Sequence, residues 1–259
     1  MRRVIAITAT TASLFAAIAA GTARPCAADP LGARVLTAPT AWIPPAGAAA
    51  VMLGVDHRGD GAAIASYGLG QLAEIELGSD TDLAASAEGS ARPTPLVVGR
   101  AAFRIGAPQD AWLRGMPALA LGVRTVFTAR GHDVHAPRAS DAYLVASRDL
   151  GVVRLHGGVD AIAAGIGALR SAPRLRPLAG LELHPPMYPR SSLLTDVAWQ
   201  PRLAPGRGST LGWVVGIGVR YQAFSWASVE LAVRARQGDD LGASTVLVRV
   251  NAVGGIARR

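Results

Sequence analysis

The stretch Thr210-Leu211-Gly212-Trp213-Val214-Val215-Gly216-Ile217-Gly218-Val219-Arg220-Tyr221-Gln222 decides the fold. Leu211, Trp213, Val215, Ile217, Val219 and Tyr221 recur with period two, while Gly212, Gly216, Gly218, Arg220 and Gln222 lie mostly on the other face. Successive β residues point to opposite faces, so the stretch reads as a strand with one greasy and one wet side. Two more such stretches follow after short connections. In one, Ala227, Val229, Leu231, Val233 and Ala235 oppose Ser228, Glu230, Arg234 and Arg236. In the other, Val246, Val248 and Val250 oppose Thr245, Arg249 and Asn251. Short turns join antiparallel neighbours. What remains open is whether the greasy side faces a protein core or lipid.

Working back from there, the same alternation predicts strands over Ala48–Asp56, Ala62–Gly68, Leu72–Gly78, Leu96–Gly106, Pro117–Phe127, Asp141–Arg148, Val152–Ile162, Leu175–His184 and Ser192–Gln200. With the C-terminal trio this makes about twelve strands and no helical segment of conviction. Polar loops are expected at Ser79–Pro95 and Thr128–Ser140. Thr37 to Gly47 contains Pro39, Pro44 and Pro45, cannot be a central strand, and reads as an extended entry segment.

The start of the chain bears on the environment. Arg2 and Arg3 precede the apolar run Val4 to Ala20, and small residues follow near Cys26-Ala27-Ala28. That is the pattern of a secretory signal peptide, with cleavage expected near Ala28. The expected organisation is a signal peptide over 1–28, a Pro-rich entry segment over 29–47 and a barrel domain over 48–259. Cys26 is the one cysteine. It leaves with the signal, so disulfides and thiolate metal sites are excluded. Every basic side chain is Arg. A GC-rich genome explains this most simply, and no nucleic-acid motif accompanies the charge.

Ionised residues recur on one face of nearly every strand: Glu74, Arg100, Arg104, Arg124, Arg154, Asp160, Glu182, Asp196, Arg220, Glu230, Arg234 and Arg249. The opposite faces are almost free of charge. A lipid-facing exterior around a polar lumen requires this segregation, because an Arg on the lipid face at the midplane costs about 2–4 kcal/mol. A soluble barrel or sandwich would put the apolar side inward. The expected fold is therefore all-β: a single antiparallel up-and-down transmembrane barrel of about twelve strands. Trp213, Ile217, Val219, Val229, Leu231, Val246 and Val248 should face lipid, and the twelve ionised residues the lumen. Two features oppose this. Aromatics are 5% of the chain, so the interfacial girdles would be thin, carried by residues such as Trp42, Phe103, Phe127, Tyr143, Trp199, Trp213, Tyr221 and Phe224. The sequence also ends Ile256-Ala257-Arg258-Arg259, without a terminal aromatic.

Thr37 to Gly47 followed by an alternating strand, then Ser66-Tyr67-Gly68-Leu69 and Leu72-Ala73-Glu74-Ile75-Glu76-Leu77-Gly78, resembles the opening of YjbH-type outer-membrane β-barrel proteins. Leu144 to Gly151, Leu178 to Glu182, Leu193 to Asp196 and Leu211 to Ala235 are similar to that family's repeated hairpins. The resemblance implies a barrel in the outer membrane of a Gram-negative bacterium, inserted by the barrel-assembly machinery. It also implies association with exopolysaccharide biosynthesis and export, with envelope polysaccharide or export components as partners. It supplies no catalytic residues.

Chemistry-bearing residues are sparse. His132 and His135 flank Asp133 in a loop with no clear third ligand, which is not a metal site. Asp56-His57 beside Asp60 is a turn. Ser147, His156 and Asp160 are the right types for a hydrolase on neighbouring strands, but nothing fixes their geometry and Gly-x-Ser-x-Gly is absent. The expectation is no enzyme, metal or cofactor. The Arg-rich face reads in two ways: an ion-pair network bracing a narrow barrel, or a pore with mild anion preference. A small porin-like channel or export accessory, a plugged structural or interaction barrel, and a secreted soluble β-protein all remain open.

Overall fold

The computed structural model describes residues 34–70, 72–85, 94–127, 137–166, 169–204, 208–238 and 244–255. The expected signal peptide with Cys26, His132, His135 and the last four residues lie outside these. Among the described residues the chain forms strands and no helix. They are β1 (Ala48–Asp56), β2 (Gly61–Leu69), β3 (Ala73–Ala85), β4 (Thr94–Ala107), β5 (Ala118–Phe127), β6 (Pro137–Asp149), β7 (Val153–Ile166), β8 (Leu169–Arg170), β9 (Arg174–Leu183), β10 (Ser191–Ala204), β11 (Gly208–Phe224), β12 (Ala227–Arg236) and β13 (Thr245–Gly255).

Each long strand pairs antiparallel with the next in sequence, with β7 passing to β9. The meander closes where β1 meets β13, from Ala48↔Gly255 to Asp56↔Leu247. The two-residue β8 rests on the end of β7. The result is a closed twelve-strand antiparallel barrel, which leaves no unpaired sheet edge.

Several strands run past the ends their alternation predicts. β3 continues through Ser79-Asp80-Thr81 to Ala85, across a register shift between Asp80 and Leu83. The polar run reads as a loop in sequence. In the barrel, Asp80 turns inward onto arginines and pairing resumes beyond it. β6 likewise begins at Pro137, inside the expected loop.

The rim that holds the start of β1 and the end of β13 also holds the connections 70–72, 108–117, 150–152, 184–190 and 225–226; we call it the terminal rim. At the far rim the ends of β3 and β10 cross the lumen and pair in parallel, Arg202↔Ala84 and Leu203↔Ala85. Beside this seam Leu83, Val98, Val126, Ala139, Ala164 and Leu203 form an apolar cluster inside the barrel.

Burial runs opposite to that of a soluble barrel. The largest fully buried side chains include Arg234, Glu74 and Glu182, and the exposed apolar set includes Ile217, Leu231 and Leu121. Two residues expected in the interfacial girdles are instead inside. Tyr143 is buried because Gly122 on β5 leaves room for its ring, and Trp42 belongs to a segment that enters the lumen.

Candidate functional site: the braced and occupied lumen

Alternation aims every second side chain of each strand at the lumen, and the arginines and carboxylates meet there in local groups. On β3 and β4, Glu74 pairs with Arg104. Beside them Arg100 pairs with Glu76 and, at 2.7 Å, with Asp80. Arg34, which precedes the first strand and lies inside the lumen, reaches the same two carboxylates at 3.1 Å each. On β5 to β7, Arg124 pairs with Asp141 and lies 3.8 Å from Asp160.

Glu182 on β9 is a hub. It faces Arg220 at 3.4 Å, His156 at 3.5 Å, His184 at 3.6 Å and Arg154 at 3.9 Å. Arg154 is held from its other side by Asp149 at 2.8 Å. Arg220 continues to Glu230 at 2.7 Å, and Glu230 faces Arg249 at 3.7 Å. Arg234 is enclosed between the Gly216 and Thr245 registers. Thus eleven of the twelve ionised positions singled out in the sequence belong to these groups or, for Asp196, to the contact described next; Arg234 is buried beside them.

Breaking one member of such a group leaves its partner charged and buried, at a cost of about 3–5 kcal/mol, even where the intact pair adds little net stability. The network is therefore a brace.

The seven positions expected to face lipid all point outward, from Trp213 at 37% exposure to Ile217 at 65%. The alternating period thus separates charge from apolar surface along β11, β12 and β13.

The lumen contains a second element that sequence reasoning read as an entry segment. Residues 34–46 lead into β1 from inside the barrel. Arg34 and Pro39 form an antiparallel bridge, and Val35 N–H donates to the Ala38 carbonyl at 3.1 Å, closing a tight turn. Val35, Leu36, Ala38 and Thr40 are fully buried.

The Asp196 carboxylate sits at this turn. Its Oδ2 accepts from the backbone N–H groups of Leu36, Thr37 and Ala38 at 3.1, 2.5 and 2.6 Å. The segment's carbonyls are taken by arginines: Arg220 donates to Arg34 and Val35, Arg249 to Leu36, and Arg104 to Thr40 and Trp42. Ala41 N–H donates to Ser147 Oγ at 2.8 Å. Wall glycines permit this approach: a Cβ on Gly180 would lie 2.6 Å from Val35, and one on Gly216 2.9 Å from Leu36.

Ser147 and His156 do meet, with Oγ 2.8 Å from Nδ1. Both are buried, Ser147 also receives the Ala41 N–H, and Trp42 packs edge-on to His156 at 6.5 Å between ring centroids. The pair is a packed polar contact under the segment. Asp160 faces Arg124 instead.

Small cavities lie among the described residues. A cavity of about 50 Å³ lies beside Arg34, Glu76, Glu230 and Arg249, one of about 30 Å³ near Thr37, Leu83 and Trp199, and one of about 10 Å³ near Arg104 and Tyr143. The first is large enough for a few waters and the last for one at most.

Of the ion-pair groups, sequence reasoning left out Arg34, Glu76, Asp80, Asp141 and Asp149, and it missed that the entry segment fills the lumen. Asp80 flanks a register irregularity, and Asp141 is the first residue of the strand that alternation predicts, four residues inside the observed β6. For the segment the available signal was the run of small and apolar residues, Val35 to Trp42, upstream of glycines on polar faces.

The geometry defines a class: a closed β-barrel with charge inside, an apolar outside and a segment of its own chain in the lumen. No family model matches the chain, and no curated protein does. Among solved structures the chain is similar to the KdgM porin in complex with disordered oligogalacturonate, with 5% identity, 79% of this chain and 98% of that one covered, and a TM-score of 0.49. It is also similar to the translocator domain of the autotransporter NalP from Neisseria meningitidis (14% identity, 80% and 86% covered, TM-score 0.36) and to the P. putida toluene transporter TodX (9% identity, 82% and 89% covered, TM-score 0.39). All three scores are below 0.5, and the fold stands on the chain's own strand pairing.

Proposed function

We propose that this chain is a porin-like β-barrel of the Gram-negative outer membrane, closed at mid-height by residues 34–46. The observation that carries the reading is the inverted burial: Arg220, Glu230, Arg234 and Arg249 lie inside, while Ile217, Val219, Leu231 and Val248 on the same strands lie outside. An apolar exterior of this extent is stable only against hydrocarbon, and twelve closed strands satisfy the backbone there. Membrane lipid and the barrel-assembly machinery are its partners on this reading. The terminal rim, with mostly short turns, faces the periplasm.

A non-conducting structural or interaction barrel is the second reading, favoured by the doubly filled lumen: the segment in the middle and the β3–β10 seam with its apolar cluster at the far rim. A role in envelope polysaccharide export follows the YjbH-type resemblance and makes this barrel an accessory to export components.

The test has two stages. The full chain is fractionated with membranes and run unheated and heated on a gel; a detergent-dependent, heat-modifiable species supports the membrane barrel, and extraction without detergent removes it. The refolded protein is then placed in planar bilayers. Rare, small openings support the porin-like reading, and complete silence at all voltages leaves the structural barrel.

A further inference from the structure

The wall holds residues 34–42 in an unusual way. It reads their backbone: Asp196 takes three N–H groups, and Arg104, Arg220 and Arg249 take carbonyls. This is how a site binds a peptide ligand. Moreover, each of the three arginines has a carboxylate partner on the wall: Glu74 for Arg104, Glu182 and Glu230 for Arg220, and the same Glu230 for Arg249. Their ion pairs are complete without the segment. Asp196 differs, since its hydrogen bonds run to the segment, to the N–H groups of Leu36, Thr37 and Ala38.

The segment is tethered through Pro44-Pro45 to Gly47, whose φ of 75° suits a pivot. Gly47 N–H holds the Gly68 carbonyl at 3.0 Å, fixing the pivot to β2 at the terminal rim.

We propose that residues 34–42 form a gate that swings out of the lumen toward the terminal rim about Gly47, and that Asp196 is its latch. Arg34 leaves with the gate, but Glu76 and Asp80, which it pairs with in the closed state, each keep Arg100 on β4, so the ion pairs within the wall hold the barrel together while the gate is out. Withdrawal uncovers Arg104, Arg220 and Arg249 to solutes entering from the terminal rim. The inference rests on the membrane-barrel reading for the lipid environment of its test.

The test is residue-resolved amide exchange on the full chain in lipid bilayers, for the wild type, Asp196→Ala, and Val35→Cys/Gly180→Cys in a Cys26→Ser background. The ideal Cβ at Gly180 lies 3.4 Å from Val35 Cβ, close to the separation a disulfide needs. In the wild type, Leu36, Thr37 and Ala38 should exchange at least tenfold faster than Thr195 and Val197 on the adjoining strand. Asp196→Ala should speed the segment at least a further tenfold and leave the strand amides unchanged. The oxidised cysteine pair should slow the segment to the strand rate, and reduction should restore it.

Equal exchange in segment and strand, with no response to Asp196→Ala, overturns the gate, as does acceleration of segment and strand together. Rapid exchange of the strands in the wild type would instead count against the closed barrel itself, which keeps the two failures distinct.

Discussion

Replacing Ile217 by Arg probes the outer surface where it should be most sensitive. Ile217 is 65% exposed and lies between Val233 and Thr195 on the neighbouring strands. Trp213 and Tyr221 flank it on the same outward face, four residues to each side. At about 3.3 Å per residue and a tilt of about 40°, each is about 10 Å away along the membrane normal. Two outward aromatics about 20 Å apart fit the girdles of an apolar band about 25 Å tall and put Ile217 near the midplane. The cost of Arg there is about 2–4 kcal/mol, falling to about 0–1 kcal/mol near the interfaces. On a water-exposed surface the same change would stay within about 0.5 kcal/mol. Reversible denaturant unfolding in lipid vesicles, comparing Ile217→Arg with Tyr221→Arg, measures the difference. A loss of about 2–4 kcal/mol at 217 and under about 1 kcal/mol at 221 is expected. Equal losses at both sites, or none at 217, would refute the placement of this face in hydrocarbon.

Two further outcomes follow from the interior. Glu182→Ala leaves Arg220, Arg154 and two histidines around an empty position; it should cost about 3–5 kcal/mol in the same unfolding assay. Adding Arg220→Ala should then cost less than the sum of the single changes. Gly122→Val places a Cβ 2.3 Å from the Tyr143 ring. It should destabilise by about 1–3 kcal/mol, and Tyr143→Ala in the same chain should recover part of that loss, since it removes the clash.

The strands were legible in the sequence because period-two alternation is a local property, and β1 and β12 begin and end where that alternation does. The direction of the apolar side was also legible, but only through charge: an Arg or Glu at the same phase of nearly every strand is tolerable inside a polar lumen and not in a bilayer. What failed to show was non-local. Ser79-Asp80-Thr81 looks like a loop because its value to the fold depends on Arg34 and Arg100. Tyr143 looks like a girdle residue until Gly122 is placed opposite it. The lumen segment was hidden for the same reason. Its backbone is satisfied by Asp196, Arg104, Arg220 and Arg249, which lie between 62 and 213 residues away in sequence.

The central claim, a barrel with its apolar face outward in lipid, is tested most directly by a nitroxide scan along β12 from Val229 to Val233 in bilayers. Collision with dissolved oxygen, enriched in hydrocarbon, is compared with collision with a water-soluble nickel complex. Labels at Val229, Leu231 and Val233 should collide mainly with oxygen, and labels at Glu230 and Ala232 should be shielded from it, giving a period of two. Strong nickel collision at 229, 231 and 233 would mean that the apolar face meets water, and the account would be wrong.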